Sequence, residues 1–450
     1  MKQRWTLNIK GFGKIHSAQV EIAPLVLFVG ENNSGKSYLV SLLWGVLALG
    51  RGLFPKEPPG SDSYKACAAL LEPGSTTKVD VRFEEALVEW FNSLLKSKKN
   101  ELVREIFSHP GLGIEHLSIS HYQRPKPLEV KWDEKKQDGS SRLSAGQGYV
   151  RFPFVAGQAP SEAEKYRMVQ YLCWKLLMDD LSSPLFPIGG LSAGRRVEGE
   201  TLYLPAARSG FMLTYRALTA ELMEAWGGRQ ISSTFTLPVV RFLQGLTENR
   251  RGKRARLGDI ADYLEKTILN GRVVSQEGAI NHYSYQAQGS KDSLPYHVAS
   301  SLVGELSPIV IFLRSTIKYR SLIIEEPEAH LHPAMQKRLA CALSRIVSRG
   351  VPVWCTTHSE TMFQQMNNLL KLGQHPQRKE LMVQYGYTED DLLKPGQVRA
   401  YEFITNTQGR TEVSPLELTE DGFAVPTFNR ALIELNEETL AFMQDNDDEV

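Results

Sequence analysis

The clearest chemical signal in the sequence is a glycine-rich stretch, Gly30–Ser37, that fits the pattern G-x-x-x-x-G-K-[ST]. Glycine lets the backbone turn tightly enough to direct its N–H groups at phosphate oxygens, and the start of the following helix adds positive potential. In this pattern Lys36 reaches the β- and γ-phosphates and the Ser37 hydroxyl binds Mg²⁺. The alternative is an ordinary glycine turn with an exposed lysine. The predicted nucleotide-binding residues are Gly30, Glu31, Asn32, Asn33, Ser34, Gly35, Lys36 and Ser37.

Two adjacent glutamates, Glu325 and Glu326, follow the apolar run Leu322–Ile324. Ligands of an open parallel sheet bind at the carboxyl ends of its strands. At that edge, one carboxylate can hold the Mg²⁺ that bridges the β- and γ-phosphates of ATP, and the other can orient the attacking water. A solvated glutamate-rich turn is the alternative. The phosphate loop upstream favours the catalytic interpretation.

A histidine, His358, follows a second apolar run, Val351–Cys355, and lies 32 residues after Glu326. One helix and one strand account for that interval, so the chain should return His358 to the same edge of the sheet as the glutamates. We expect it to contact the γ-phosphate, against the alternative of an ordinary core or surface histidine. His330 and His332 lie two residues apart beside a turn, and are weak evidence for a metal site.

The elements around these residues predict an α/β fold. Period-2 alternation predicts strands at Trp5–Ile9 and Ala18–Ile22. The run Leu25–Val29 is apolar on both faces and predicts a central strand of a covered sheet. A helix is expected over Pro333–Ser348, because proline opens it and Gly350 follows it. Strand, helix and strand in that order predict parallel pairing.

The middle of the chain carries no recognisable catalytic motif. Helices are expected over Phe83–Phe107, Glu162–Leu181 and Met212–Trp226, with a hairpin over Arg272–Gln286. The run Arg250–Arg256 has five basic residues in seven. Such a run is usually a solvated surface, and the alternative is contact with nucleic acid or an acidic partner.

Composition limits the classes of protein that fit. The 450 residues are 42% apolar and 23% charged, as in ordinary globular proteins, and the net charge is +1. The longest apolar stretch, Tyr38–Gly50, has 13 residues, whereas a membrane span needs about 20. The first residues lack the apolar core of a signal peptide, and the four cysteines lack the spacing of a zinc site or disulfide framework. We therefore expect a cytoplasmic protein without membrane contact.

Together, the loop Gly30–Ser37 and the segment Glu325–Pro333 resemble the ABC-type ATPases of the SMC, RecF and OLD (overcoming-lysogenization-defect) group, and look most like its OLD branch. The resemblance implies an α/β fold with an ABC-type P-loop ATPase core and a mixed α+β and helical insertion. It also implies ATP and Mg²⁺ as cofactors.

By this resemblance, single residues take defined roles. Ser37 and Glu325 lie on the Mg²⁺ side. Glu326 acts as the catalytic base and His358 as the switch histidine. The loop Glu328–His332 meets the opposite subunit of a dimer.

Two further residues are implied in the same way. An ABC signature is expected one helix before the acidic strand, where Ala299–Glu305 stands without a Ser-Gly-Gly core and with Leu302 in the usual glycine position. There, Ser301 caps the helix toward the γ-phosphate bound by the partner. Leu204–Ser209 resembles a Pro-Ala-x-Arg element, in which Arg208 reaches the nucleotide; a surface arginine is the alternative. No residue is assigned to the glutamine of the Gln loop.

The resemblance also suggests how the chain is organised. After His358 only 92 residues remain, without the acidic cluster of the TOPRIM nuclease domain that many OLD proteins carry. The chain is thus similar to the stand-alone ATPase components of two-gene anti-phage systems of the PARIS and Septu types. The expected parts are an ATPase core at 1–50, 195–212 and 295–410, an insertion for assembly or partner binding at 51–194 and 213–294, and a C-terminal extension with an acidic tail at 411–450.

Two functions are kept open. The first is a Mg-ATP-hydrolysing sensor and scaffold subunit of a bacterial anti-phage complex that holds or licenses a separate nuclease effector. The alternative is a RecF- or SMC-like DNA-binding ATPase in recombination or repair. The expected partners are at least a second copy of the chain, the nuclease, and a phage trigger protein or nucleic acid. A transporter ATPase is disfavoured, because Arg51–Pro295 is a far larger interruption than a transporter subunit carries.

Overall fold

The structure of the chain is a computed structural model. It describes residues 4–444 except 72–74, 125–126, 135–143, 147, 155–159, 179–200, 227–234, 250–251, 253–254, 279 and 317–318. Over these residues the predicted α/β class is confirmed, and the centre of the fold is a nine-stranded sheet flanked by helices on both faces.

The strands in the described part of the chain are between two and ten residues long. They are β1 (Arg4–Phe12), β2 (Ile15–Glu21), β3 (Leu25–Gly30), β4 (Thr77–Val79), β5 (Ile114–Gln123), β6 (Leu128–Glu134), β7 (Ser144–Gly146), β8 (Tyr149–Phe154), β9 (Thr201–Leu204), β10 (Gly271–Gln276), β11 (His282–Ala287), β12 (Ser321–Glu325), β13 (Val353–Thr356), β14 (Val398–Thr405), β15 (Thr411–Pro415), β16 (Leu418–Thr419) and β17 (Gly422–Phe423).

The helices of the described residues include those predicted: the helix Pro333–Ser348 has the expected ends, and the others differ from the prediction at one end. A π-helical turn, Glu265–Leu269, continues the seventh. The α-helices are α1 (Lys36–Leu49), α2 (Asp62–Ala69), α3 (Val81–Phe107), α4 (Glu162–Leu177), α5 (Arg208–Trp226), α6 (Leu237–Glu248), α7 (Gly258–Leu264), α8 (Ser301–Leu313), α9 (Pro333–Ser348), α10 (Glu360–Gln374), α11 (Arg378–Tyr385) and α12 (Pro426–Gln444).

The main sheet has the strand order β5-β1-β2-β15-β14-β3-β13-β12-β9. The five strands from β14 to β9 are parallel to one another. Their carboxyl ends therefore meet at one edge. At that edge, β3 is followed by the phosphate loop and β13 by His358, while β12 ends at Glu325 and is followed by Glu326.

The other half of the sheet differs from the predicted domain division. Strand β5, which was expected to lie in the insertion, pairs antiparallel with β1, and β15, which was expected in a C-terminal extension, lies between β2 and β14. Strand β5 covers the open edge of β1, and its Ile114, Leu117 and Ile119 are buried in the same core as apolar residues of β1. Both β5 and β15 are therefore strands of the main sheet, although the predicted division assigned them to segments outside the ATPase core.

The central strand β3 is buried on both faces, as its uninterrupted apolar run predicts. Val26 and Phe28 point into a core that also contains residues of α1, α3 and α4. Leu25, Leu27 and Val29 point into a second core with residues of α8, α9 and α10. The alternation follows from the two-residue period of a strand. The two cores hold β3, and hence the loop that follows it, from both sides.

The insertion shares the first of these cores. Its strands form a four-stranded sheet in the order β4-β6-β8-β7. On α3, Trp90 packs edge-on against Phe54, with 5.1 Å between the ring centroids. The indole N–H of Trp5 on β1 donates to the Leu177 carbonyl at the end of α4 at 2.9 Å. The insertion is thus packed onto the sheet and is continuous with its core.

In the part of the chain that the structure describes, no helix combines the length and the apolar character needed to cross a membrane. The four cysteines are free and buried. Burial raises the pKa of Cys67 and of Cys341 to about 12, so both thiols stay protonated at neutral pH.

Candidate nucleotide-binding site

The loop between β3 and α1 has a backbone that requires glycine at both ends. Gly30 and Gly35 have φ angles of 136° and 98°. A Cβ atom on Gly30 would lie 2.5 Å from the Phe403 carbonyl oxygen, and one on Gly35 would lie 3.1 Å from Ile15 Cγ1. The positive φ angles disfavour a side chain at both positions, and the backbone of Phe403 leaves no space for one at Gly30. The loop closes tightly over the first turn of α1.

The Lys36 side chain is buried within this loop. Its ammonium group donates to the carbonyl oxygens of Gly30 at 3.0 Å and Glu31 at 2.6 Å, and to Ser34 Oγ at 3.2 Å. Burial lowers the pKa of Lys36 to about 8, while the surrounding carboxylates oppose that shift. A bound phosphate group would replace these carbonyl oxygens as acceptors of the Lys36 hydrogen bonds. It would also bring the negative charge that neutral carbonyls lack.

The first of the two glutamates, Glu325, meets the phosphate loop. Ser37 Oγ donates a hydrogen bond to Glu325 Oε2, and the Tyr203 hydroxyl donates to Oε1 at 2.5 Å. Burial raises the pKa of Glu325, and these two hydrogen bonds oppose the rise. Tyr203, on β9, is also held by Ser41 on α1 at 2.9 Å. Sequence reasoning missed Tyr203, because its position in the strand-like run Leu202–Leu204 gives no chemical signal.

The second glutamate, Glu326, faces outward. It has a φ angle of 42°, an uncommon conformation for a residue other than glycine and one often found at functional sites. Its backbone N–H donates to the carbonyl oxygen and to Oγ1 of Thr356, both at 3.1 Å. The side chain is 41% exposed, and Oε1 lies 3.7 Å from His358 Nε2. Water can therefore reach this carboxylate.

His358 lies at the same edge, as its spacing predicted. Burial lowers the pKa of His358, and the positive charge of Lys36 lowers it further, while Glu326 opposes the shift. The neutral imidazole is thereby favoured at physiological pH, with one ring nitrogen as donor and the other as acceptor.

A third carboxylate, Glu328, is buried behind His358. Its Oε1 accepts hydrogen bonds from Thr357 Oγ1 at 2.7 Å and from the His358 backbone N–H at 2.8 Å. Its Oε2 is buried without a hydrogen-bond partner among the described residues, and burial raises the pKa of Glu328. Glu328 is the first residue of the loop 328–332, which the resemblance predicts to meet an opposite subunit, and its own side chain points inward. It fixes the backbone that carries His358.

The sequence leaves two positions for Arg208, in contact with the nucleotide or on the surface. The side chain takes neither position and is completely buried. The guanidinium donates to the carbonyl oxygens of Glu325 at 2.5 Å and Glu326 at 3.0 Å. It also donates to the carbonyls of Pro205 at 2.9 Å and Glu305 at 3.0 Å. The Glu305 carboxylate balances its charge at 3.1 Å. Arg208 therefore holds the end of β12 from behind and is not directed at a nucleotide.

Ser301 begins α8 on an exposed surface. Ser301 is therefore not the cap that the resemblance implied: the N-cap residue is Ser300, whose backbone is extended and whose side chain makes no capping hydrogen bond within the described residues. One turn later, Glu305 accepts hydrogen bonds from the N–H of Ser209 at 3.0 Å and from its hydroxyl at 2.9 Å. The α8 start is thus anchored to the same Arg208–Glu305 pair that holds β12.

The structure also describes His332 and one basic residue of the run 250–256. His332 is the N-cap residue of α9, and its Nδ1 accepts from the Ala334 N–H at 3.3 Å. Within the described ranges, no group of three or more His, Cys, Asp or Glu side chains could hold a metal ion. Four of the five basic residues of the run 250–256 lie outside the described residues. The fifth, Arg256, donates to the Arg349 carbonyl and is thus directed toward the protein.

Residues 244–363 match the family model of the AAA ATPase domain. This range contains Glu325, Glu326 and His358 and starts after the phosphate loop. The comparison with curated proteins gives no match.

Among solved structures, the chain is similar to head domains of SMC proteins. One is an SMC head bound to the C-terminal winged-helix domain of ScpA, with 15% identity, a TM-score of 0.37 and coverage of 92% of this chain and 98% of that one. Another is the SMC head domain from Thermotoga maritima, with 10% identity, a TM-score of 0.35 and coverage of 93% and 100%. A third, from Pyrococcus furiosus, has an extended coiled coil and is bound to the C-terminal domain of ScpA; it has 13% identity, a TM-score of 0.35 and coverage of 96% and 98%.

Proposed function

We propose that this chain binds Mg-ATP at the edge formed by β3, β12 and β13 and hydrolyses it. The observation that carries the proposal is the hydrogen bond between Ser37 and Glu325, which joins the phosphate loop to an acidic strand end 288 residues away. Glu326 and His358 lie beside that contact with their side chains accessible. The ATPase family match over residues 244–363 supports the same chemistry.

The residues at this edge fit the groups that Mg-ATP would present. A hydroxyl and a carboxylate, those of Ser37 and Glu325, are the oxygen ligands that Mg²⁺ prefers, and they already face each other. When bound, Mg²⁺ would neutralise charge on the β- and γ-phosphates. Lys36 would exchange its loop carbonyls for phosphate oxygens, while the narrow loop keeps its backbone N–H groups directed at the same phosphates.

The catalytic roles follow from exposure. Glu326 is the carboxylate that water reaches, so we assign it as the base that accepts a proton from the attacking water. His358 in its neutral form donates one N–H, which we assign to the γ-phosphate. Glu328 and Arg208 act as positioning residues, since each binds the backbone of a reacting residue and neither is directed at the reaction.

Phosphate release by the purified chain with Mg-ATP tests this proposal. Replacing Lys36 by Ala should lower kcat/KM by at least about 100-fold, because one preorganised charged donor to the phosphates is lost. Lys65→Ala is the matched control, since the Lys65 side chain is 65% exposed on α2 and pairs with Asp62 at 3.9 Å. Full activity in a folded Lys36→Ala protein would refute the assignment.

The active form is proposed to be at least a homodimer, with ATP bound between the two copies. The phosphate loop covers one side of the phosphates, and the exposed start of α8 offers helix N–H groups that could cover the other side in a second copy. This arrangement would give Ser301 a role in the partner's site.

The proposed biological role is that of a sensor and scaffold subunit in anti-phage defence, working with a separate nuclease. The OLD-like motifs support this role, and the insertion offers a large surface for assembly. Plating efficiency of phages on cells that carry the gene with its neighbours tests it. Protection that requires both Lys36 and a neighbouring nuclease gene is the expected result, and protection independent of Lys36 would contradict the role.

A RecF- or SMC-like DNA-handling ATPase is the second candidate, supported by the basic run Arg250–Arg256. Duplex DNA binding measured over a range of salt concentrations separates the two roles. A DNA-handling ATPase should show affinity that falls steeply with salt and a slope that decreases when Arg250 and Arg251 are replaced by Gln. Absence of DNA binding at low salt would favour the defence role.

A further inference from the structure

The helix α12 leaves the body of the molecule. Its base is anchored, because Val425 is buried and Phe428 packs edge-on against Phe363 of α10 with 6.2 Å between ring centroids. Beyond that base, every residue from 433 to 442 is exposed. We name residues 433–442 the α12 arm.

The α12 arm is amphipathic although nothing in the described structure covers it. Its four large apolar side chains are 55–71% exposed: Ile433, Leu435, Leu440 and Phe442. At about 100° per residue, Ile433 and Leu440 form one row and Leu435 and Phe442 form a second row about 160° away, at the two edges of one half of the helix. Asn436 and Thr439 lie between the two rows.

The opposite half of the arm carries three glutamates. Glu437 lies next to the row that contains Ile433, and Glu438 lies next to the row that contains Phe442. The apolar half is therefore bordered by a carboxylate on each side. Glu434 and Glu438, four residues apart, repel each other, and residues 433–442 include no basic residue that would offset their charge. Such a helix gains stability when another surface covers its apolar half.

The negative charge of the α12 arm and of the residues after it limits the kinds of surface that can cover its apolar half. Residues 433–450 include seven acidic and no basic residues. Two copies of the arm would bring like charges together, and anionic lipid or nucleic acid would repel it. The apolar half and its acidic borders instead complement an apolar groove with Lys or Arg on both rims.

We propose that the α12 arm is a docking helix for a separate protein that has a basic-rimmed apolar groove. In this helix-in-groove mode, Leu435 and Phe442 are the anchors, and Glu437 and Glu438 fix the register against the rims. The inference concerns a surface outside the proposed ATPase site and does not depend on ATP hydrolysis.

Site-specific photo-crosslinking in the source cells tests the docking helix. The full chain would carry a benzoylphenylalanine at Leu440, on the apolar half, or at Ala441, on the acidic half, as the matched control. We expect one protein to be crosslinked from position 440 and not from 441, with the crosslinked peptide lying in an apolar groove between basic residues. Leu435→Glu with Phe442→Glu should reduce the yield at least about tenfold, as for hot-spot residues.

A charge swap makes the test specific. Glu437→Lys with Glu438→Lys should weaken crosslinking, and replacing the groove's rim Lys or Arg residues by Glu should restore it. Basal ATP hydrolysis should remain unchanged in all these variants. No crosslink from position 440, a crosslink to a second copy of this chain, or a charge-reversed arm that crosslinks equally well would each overturn the proposal. Binding of the wild-type chain to vesicles containing phosphatidylserine would overturn it as well.

Discussion

At the level of single residues, Glu325 and Glu326 are adjacent in sequence but lie in different environments. Glu325 is 7% exposed and receives hydrogen bonds from Ser37 and Tyr203. Glu326 comes after the last residue of β12, where a positive φ angle directs its side chain toward solvent and His358. The same side-chain type is thus suited to holding a cation in one position and to receiving a proton from water in the next.

Replacing each glutamate by Gln should separate these two roles. Glu326→Gln should keep Mg-ATP binding and lower turnover by roughly 10²–10⁴-fold, because the amide cannot accept the proton. Glu325→Gln should instead weaken Mg²⁺-dependent nucleotide binding. Titration with a fluorescent ATP analogue and phosphate release measure the two effects. The reverse pattern would show that the two roles are exchanged.

Glu328 should affect His358 through its position. Glu328→Ala leaves the Thr357 hydroxyl and the His358 N–H without their acceptor, and should cost about 1–3 kcal/mol of unfolding free energy. The kcat should fall at the same time, because the backbone of His358 is released. Glu328→Gln keeps an acceptor oxygen in the same place and should restore most of both quantities. If Ala and Gln variants have equal kcat values, Glu328 does not position His358.

At the level of elements, the parallel strands bring together residues that are far apart in the sequence. Apolar runs followed by polar residues made β3, β12 and β13 predictable, and the spacing between Glu326 and His358 predicted their shared edge. The partners of β5 and β15 could not be predicted, because strand pairing depends on an edge supplied by a distant segment. The buried position of Arg208 could not be predicted either, because the sequence alone does not distinguish a buried arginine from one on the surface.

The Arg208–Glu305 pair links the element that bears Glu326 to the start of α8. Arg208→Met should destabilise the protein by about 3–5 kcal/mol, because it leaves the buried carboxylate of Glu305 uncompensated. Adding Glu305→Gln removes that charge, keeps an acceptor for Ser209, and should recover part of the stability. Chemical denaturation measures both changes.

Activity separates positioning from stability in the same variants. The double variant Arg208→Met/Glu305→Gln should remain weakly active even though its stability is partly recovered, because no guanidinium holds the carbonyls of Glu325 and Glu326. The loss should appear in kcat more than in KM. Recovery of full kcat together with stability would show that Arg208 only neutralises Glu305.

At the scale of the whole molecule, the phosphate loop and the exposed helix start at Ser301 belong to different elements of the chain. The phosphate loop follows β3, whereas α8 begins at Ser301 and is tied to β12 through Glu305 and Arg208. A two-fold assembly would let each helix start complete the site of the other copy. A change at Ser301 should then affect hydrolysis without changing the nucleotide-binding residues of its own chain.

Ser301→Glu is the variant that tests this assembly. A carboxylate in the first turn of a helix is favourable for the helix itself, so the fold and its stability should be preserved. Placed against the γ-phosphate of the partner, the same carboxylate repels it, and hydrolysis should fall at least about tenfold while ATP still binds to the phosphate loop. Ser301→Gln has the same size without the charge and should retain most activity. Light scattering with saturating ATP should show wild-type dimers and Ser301→Glu monomers, whereas a wild-type monomer with full ATPase activity would refute the shared site.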